Sequence, residues 1–163
     1  MEWSEDFETG LADIDAQHRM IFALAQRVEV LEERGDSEAL AVLMNEALRF
    51  ARAHFGCEEE LMRAYDYAGI AQHRAEHASL LQEVATFIER SDSNAREITL
   101  FTCRWLMSHS LIEDRSLAQH ILKIRANALG MTVQQLTALI CTSGAPSATY
   151  QIASSPDAQG SQK

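Results

Sequence analysis

The sequence predicts an all-α fold: an up-down-up-down antiparallel four-helix bundle with an N-terminal arm and a C-terminal extension. Three observations carry this. Apolar residues recur at helical spacing in four separate runs. The connectors between runs are short, which makes successive helices antiparallel neighbours. No stretch alternates apolar and polar residues as a half-buried strand does, and no proline occurs before Pro146.

Taken in order, residues 1–10 read as an irregular arm ending at Gly10. The first run is Leu11, Ile14, Ile21, Ala25, Val28 and Leu31, and it stops at Gly35. The second is Leu40, Leu43, Ala47, Phe50, Leu61 and Tyr65, with Ser37 as the expected N-cap and Gly69 as the break after it. The third is Ile70, Leu80, Val84 and Phe87, closed by the polar cluster Ser91-Asp92-Ser93-Asn94. The fourth is Ile98, Phe101, Trp105 and Ile112, extending to Ile124 and closing near Gly130. Residues 1–130 are thus expected to form the bundle. Residues 131–163 read as a short helix plus a flexible tail or linker. Thr132 and Gln135 have the spacing of a capping box for that helix, which would run through Ile140. The stretch from Ser143 to Lys163 is rich in Ser, Ala, Gly and Gln, with few apolar residues.

The totals narrow the function classes. A chain of 163 residues fits one domain and can bury a core without disulfide staples. The formal charge of −10 repels phosphate, so neither nucleic acid nor an anionic membrane is expected as a partner. Cys57, Cys103 and Cys141 are too few and too irregular for a disulfide framework. They suit a reducing compartment. The opening Met1-Glu2-Trp3-Ser4-Glu5-Asp6 is acidic with no apolar run behind it, unlike a signal peptide. The expected location is the cytoplasm.

The informative residues are those that interrupt the apolar stripes. The first helix runs Ile14, His18, Ile21; the second Phe50, His54, Glu58, Leu61; the third Ile70, His73, His77, Leu80; the fourth Trp105, His109, Ile112. Each helix puts histidine where the pattern asks for an apolar residue. A single core histidine is usually satisfied by a backbone carbonyl. Five of the six histidines in one register are different, because buried imidazoles and carboxylates need partners. Converging from four helices, they most economically share metal. His54 and Glu58, at i and i+4, lie only ~40° apart around a helix, and His73 and His77 repeat that spacing. His120 lies ~16 Å beyond His109 along a helix and reads as solvated surface.

The donor set narrows the metal. Five imidazoles exceed a closed tetrahedral zinc site. Two six-coordinate ions offer twelve positions. Five histidines, two bridging carboxylates and one bridging oxide or hydroxide fill eleven, which leaves one open position of O2 size. Ferritin-like di-iron oxidases use Glu-x-x-His motifs. Here no histidine has a glutamate three residues before it. Met44, Met62 and Met107 at helical spacing read as core filler. Cys57 points roughly 100° away from Glu58 and reads as a packed residue. Of Glu58-Glu59-Glu60, one member is expected to face inward.

At this point the residues resemble the bacteriohemerythrin family. Trp3-Ser4-x-x-Phe7-x-Thr9-Gly10 followed by Ile14-Asp15-x-Gln17-His18 is similar to the family's N-terminal signature. His54-Phe55-x-x-Glu58-Glu59 with Met62 is similar to its second motif, and His73-x-x-x-His77 to its third. Trp105-Leu106-x-x-His109 with Asp114 is similar to its fourth. The resemblance spans residues 3 to about 125. It implies two non-haem iron ions with a bridging oxide or hydroxide. His73, His77 and His109 would hold one iron, His18 and His54 the other, and Glu58 and Asp114 would bridge. The iron of His18 and His54 would keep the open position and bind O2 reversibly. Ile21, Phe55, Trp105, Leu106 and Ser110 would line the O2 pocket.

Helix geometry alone selects Glu113, at i+4 from His109. Asp114, at i+5, lies ~140° around an ideal helix. The resemblance selects Asp114, and a distorted turn or helical bulge is the expected way to present it. Two positions depart from the family. Tyr67-Ala68 stands where the family usually has Tyr-Pro, so a looser connector is expected. Ser110 stands where it usually has a branched apolar residue.

The leading expectation is an O2-binding protein acting as carrier, store or scavenger, with no catalytic residues. The alternatives are an O2- or redox-sensing module, with a fused or partner output domain reached through the C-terminal tail, and a di-iron enzyme acting on peroxide or nitric oxide or oxidising ferrous iron. A fourth is a purely structural bundle. Ser110 is expected to admit water and hasten oxidation to the diferric form. Replacing Ser110 by Ile should therefore lengthen the autoxidation half-life of the iron-loaded protein. An equal or shorter half-life in the variant would refute that expectation.

Overall fold

The computed structural model describes residues 3–89 and 95–143. The described residues form helices and no strand. After a 3-10 turn at Glu5–Phe7 come α1 (Ala12–Arg34), α2 (Ser37–Ala64), α3 (Ile70–Glu89), α4 (Ala95–His109), a π-helical turn (Ser110–Asp114), α5 (Arg115–Ala128) and α6 (Val133–Ser143). The segment α4–π turn–α5 is one continuous rod and makes the fourth member of the bundle. α1 packs on α2 and α4, and α3 packs on the same two helices, which closes a ring of four.

The core residues give the chain direction of each helix. One apolar cluster joins Leu11 and Ile14 from the start of α1, Met62 from the end of α2, and Leu117, Ala118, Ile121, Leu122 and Ala126 from α5. The opposite end holds Leu24, Val28 and Leu43 in one cluster and Phe55, Leu80, Val84 and Ile98 in another. Each helix therefore runs from one end to the other, reversed relative to its neighbour in sequence. The histidines lie between the two apolar ends.

Local chemistry sets the turns. Gly35, at φ 67, takes the left-handed conformation that ends α1, and its N–H returns to Glu32 and Leu31 carbonyls. Asp36 rather than Ser37 is the N-cap of α2, its carboxylate accepting from Ala39 N at 3.1 Å. Both types cap well, so composition alone did not separate them. Thr132 and Gln135 form the reciprocal box expected, with Thr132 N donating to Gln135 Oε1 at 2.9 Å and Gln135 N to Thr132 Oγ at 3.2 Å. The α2–α3 connector is tied rather than loose. Tyr67 N donates to Met62 O at 2.9 Å, Ile70 N to Tyr67 O at 3.2 Å, and Tyr67 OH to Ser116 Oγ at 3.0 Å. α6 follows α5 and packs on it, seating Leu136 in the core. The tail expected at 144–163 and the polar cluster at 91–94 lie outside the described residues.

Two stripe readings need correction. Ile112 is 62% exposed, and Ile124 is also on the surface. A π turn adds a residue per turn, so the inward face after His109 passes to Asp114, Leu117, Ala118 and Ile121. On α1, Phe22 is buried and Ile21 only half-buried. The arm widens the covered stripe there: Trp3 meets Phe22 edge-on at 5.3 Å and Phe7 stacks on it at 5.8 Å.

One buried carboxylate anchors the arm. Asp15 accepts from Thr9 N at 2.7 Å, Thr9 Oγ at 2.8 Å and Gly10 N at 3.1 Å. Arg115, at the start of α5, donates to the carbonyls of Asp6 and Glu8, and Arg19 pairs with Glu8. Replacing Asp15 by Ala should cost about 1–3 kcal/mol in urea unfolding, because it strands buried donors. A loss under about 0.5 kcal/mol would show that the arm is held elsewhere.

Candidate metal centre

His18 comes from α1, His54 and Glu58 from α2, His73 and His77 from α3, His109 from the end of α4, and Asp114 from the π turn. All seven side chains are buried. Their ligand-capable atoms fall into two groups, each within 4.8 Å: Glu58, His73, His77, His109 and Asp114 in one, and His18, His54 and Glu58 in the other.

In the first group His109 Nε2 lies 2.9 Å from His73 Nε2 and 3.1 Å from His77 Nε2. Glu58 Oε2 is 3.1 Å from His77 Nε2, and Asp114 Oδ1 is 3.1 Å from His73 Nε2 and 3.3 Å from His109 Nε2. In the second group His18 Nε2 is 3.3 Å from Asp114 Oδ2, and Glu58 Oε1 is 3.5 Å from His54 Nε2 and 3.8 Å from His18 Nε2. Each carboxylate thus turns one oxygen to each group. Among the described residues, the buried atoms without a hydrogen-bond partner include His18 Nε2, His54 Nε2 and both oxygens of Glu58 and of Asp114. Orphans of this kind cost several kcal/mol each in an apolar interior, a cost that bound cations offset.

The spacing tests which ion fits. Around a six-coordinate ion with bonds of roughly 2.1 Å, adjacent ligand atoms stand roughly 3.0 Å apart, while a tetrahedral ion spreads them to roughly 3.4 Å. Five of the first group's contacts, at 2.9–3.3 Å, match the octahedral edge, while His73 Nε2–Glu58 Oε2 is longer at 3.7 Å. The second group is more open, at 3.3–3.8 Å. The donor set fits a six-coordinate ion in the first group, and the carboxylates that face both groups fit a pair of ions.

The π turn explains Asp114. Arg115 N–H closes the wide turn on Ser110 O, and this swings the fifth residue after His109 inward. Glu113, the i+4 candidate, stays half-buried outside the cluster. Of the acidic run only Glu58 is buried. Met62 fills core, and Cys57 is half-buried and free. His120 lies outside the cluster but is not solvated surface. It is half-buried, its Nε2–H donating to Tyr65 O at 2.8 Å beside the Tyr67 ring.

Outer partners orient three of the five rings. His54 Nδ1–H donates to Gln17 Oε1 at 2.8 Å, and His109 Nδ1–H donates to Glu76 Oε2 at 3.0 Å. Ser110 Oγ lies 3.4 Å from His18 Nδ1. The first two partners only accept, so they hold the proton on Nδ1 and leave the Nε2 lone pair facing the cluster. Gln17 and Glu76 had no assigned role in the sequence reading. Their signal is adjacency: Gln17 precedes His18 and Glu76 precedes His77, so each flanks the inward face and reaches a ring on another helix.

The residues expected to line an O2 pocket sit unevenly. Phe55 stacks on His77 at 3.9 Å and meets His54 at 5.4 Å; Trp105 stacks on His109 at 4.2 Å; the two aromatics touch edge-on at 5.9 Å. Leu106 and Ser110 are buried. Ile21 is half-buried one turn beyond His18. On the arm side, the Trp3 ring lies 6.2 Å from His18.

Electrostatics follow the packing. Burial holds His54 down to about 4, against the pull of Glu58, so its ring is neutral at pH 7. Burial opposes a charge on His73, but the Asp114 and Glu58 carboxylates facing its Nε2 outweigh it and raise His73 to about 9. Burial would raise Glu58; the imidazoles of His54, His73 and His77 outweigh that and bring it down to about 2. Burial also opposes ionisation of Asp114, and the facing rings of His109, His18 and His73 hold it well below the usual carboxylate range.

The family profile described as Hemerythrin HHE cation binding domain matches residues 9–123. Among curated relatives, a bacteriohemerythrin of Stenotrophomonas maltophilia (strain R551-3) is 26% identical over 122 residues, covering 73% of this chain and 80% of the relative. A bacteriohemerythrin of Clostridium acetobutylicum is 28% identical over 122 residues, covering 69% and 95%. A myohemerythrin of Riftia pachyptila is 23% identical over 107 residues, covering 66% and 82%. No solved structure gave a significant match.

In the metal-free protein His73 keeps its proton at pH 7, and a ligating cation must displace it. The sign follows: affinity for a divalent cation rises as pH goes from 6.5 towards 9 and levels off above it. Cobalt titrations of metal-free protein across that range should show the rise. Equal affinity at pH 7 and pH 9 would mean that no proton is displaced.

Proposed function

The chain belongs to the hemerythrin family, and on that premise we propose that it binds O2 reversibly at a non-haem di-iron centre, as a carrier, store or scavenger. One observation supports this reading above others. Seven buried side chains present two nitrogen-rich groups, and the same two carboxylates face both.

His73, His77 and His109 would hold one iron, and His18 and His54 the other. Glu58 and Asp114 would bridge them, one oxygen to each ion. A ferrous pair would supply the two electrons that reversible O2 binding needs, and the side with two histidines, having fewer protein donors, would be the one left to O2. The protein's own part is to hold and to exclude. Gln17 and Glu76 keep the Nδ1 protons of His54 and His109 turned outward, so these rings arrive with free Nε2 lone pairs. The stacked Phe55 and Trp105 keep the rings of His77 and His109 from rotating. With Leu106 they would line an O2 pocket with carbon, which offers water no partner, the buried Ser110 hydroxyl being the polar exception. O2, small and apolar, needs no polar partner to cross such a lining.

The two oriented outer partners on the His18–His54 side are an amide and a hydroxyl. Among the described residues no helix is long and apolar enough to cross a membrane.

Metal-free protein reconstituted anaerobically with ferrous iron should take up two irons per chain. Exposure to air should raise a visible charge-transfer band that disappears when O2 is removed. A band that never reverses, or continuous O2 consumption with an electron donor, would replace the carrier reading by an enzymatic one. One iron or none would remove the di-iron reading itself.

A further inference from the structure

His18 differs from the other buried histidines in what orients it. Its ring has no exposed surface, and its Nε2 faces Asp114 Oδ2 and Glu58 Oε1. Its Nδ1 points the other way, into the wall formed by the π turn. The polar atom there is Ser110 Oγ at 3.4 Å. Ser110 is itself 1% exposed. A hydroxyl in that place can accept a proton bond from Nδ1–H; an apolar side chain would leave a buried N–H without a partner. Ser110 also opens the π turn that presents Asp114, and its own carbonyl accepts the turn-closing bond from Arg115 N–H.

We infer that Ser110 is a positioning residue: with an ion on Nε2 the His18 proton sits on Nδ1, and the Ser110 hydroxyl accepts it there and so holds the ring with Nε2 aimed at the second ion. This rests on the two-ion reading above. The bond makes His18 orientation depend on the same turn that sets Asp114, one of the two carboxylates shared between the groups. It also makes the sides unequal. The partner of His109 is a carboxylate, whereas those of His54 and His18 are a neutral amide and a neutral hydroxyl. The ring nitrogens on the two-histidine side are thereby weaker donors. This role is separate from the dryness of the pocket, which changes the lifetime of loaded protein rather than the affinity of the second ion.

The test compares wild type, Ser110→Ala, which deletes the hydroxyl alone, and Ser110→Thr, which keeps it. Metal-free full-length protein is titrated with cobalt(II), and long-range 1H–15N spectra of 15N-histidine protein read the His18 tautomer with and without zinc. Wild type and Ser110→Thr should bind two cobalt ions. Ser110→Ala should bind the first as wild type does and the second about 10- to 100-fold more weakly. In the spectra of zinc-loaded protein, wild type should hold His18 as one Nδ1–H tautomer and Ser110→Ala should show two in exchange. If Ser110→Thr does not fold, the Ser110→Ala spectra decide alone. Two unchanged cobalt sites together with an unchanged His18 tautomer in Ser110→Ala would overturn the inference. Fewer than two cobalt ions in wild type would instead overturn the two-ion reading, whereas two ions in wild type with an unchanged Ser110→Ala would overturn the role of Ser110 alone.

Discussion

Buried charge in the middle of an apolar bundle is the constraint on which the rest of the structure depends. Glu58 and Asp114 stay ionised among imidazoles in a region closed by carbon at both ends of the bundle. Unpaired, such groups destabilise a fold. Gathered around cations they become its centre, because each carboxylate oxygen and each Nε2 then has a partner of opposite sign. Helix spacing, the widened turn and the outer hydrogen bonds gather these atoms into two groups, each within 4.8 Å.

Much of this was legible in the chain itself. Histidine at core register in His18, His54, His73, His77 and His109 gave the convergence, since a 3.6-residue period places residues on faces without knowledge of the neighbours. The choice of Asp114 over Glu113 was not legible from the period, because a π turn is a departure from it; there the motif named the residue that the turn brings inward, and simple geometry named its neighbour. The same turn exposed Ile112, which the unbroken period would bury. Phe22 was missed for a different reason. Its burial comes from Trp3 and Phe7 in an irregular arm, and no helical pattern reports what a loop covers. Gln17, Glu76 and the half-buried His120 act across helices, so their partners are invisible until the helices are placed side by side.

The outer hydrogen bonds show how little of a metal site lies in its ligands. Five imidazoles supply nitrogen, yet what each nitrogen can do depends on the atom behind it. The chain spends different chemistry in those places: a carboxylate behind His109, an amide behind His54, a hydroxyl behind His18. Aromatic faces on His77 and His109 complete the restraint on the three-histidine side.

Arg115 joins two parts of the molecule that are over a hundred positions apart in sequence. Its backbone N–H closes the wide turn, and its guanidinium grips the Asp6 and Glu8 carbonyls. The first residues are therefore geared to the pitch of the fourth helix. Were that turn to tighten to ordinary α pitch, the same lever that withdraws Asp114 would drag on the strap over His18, and the inner shell and its outer cover would give way as one piece.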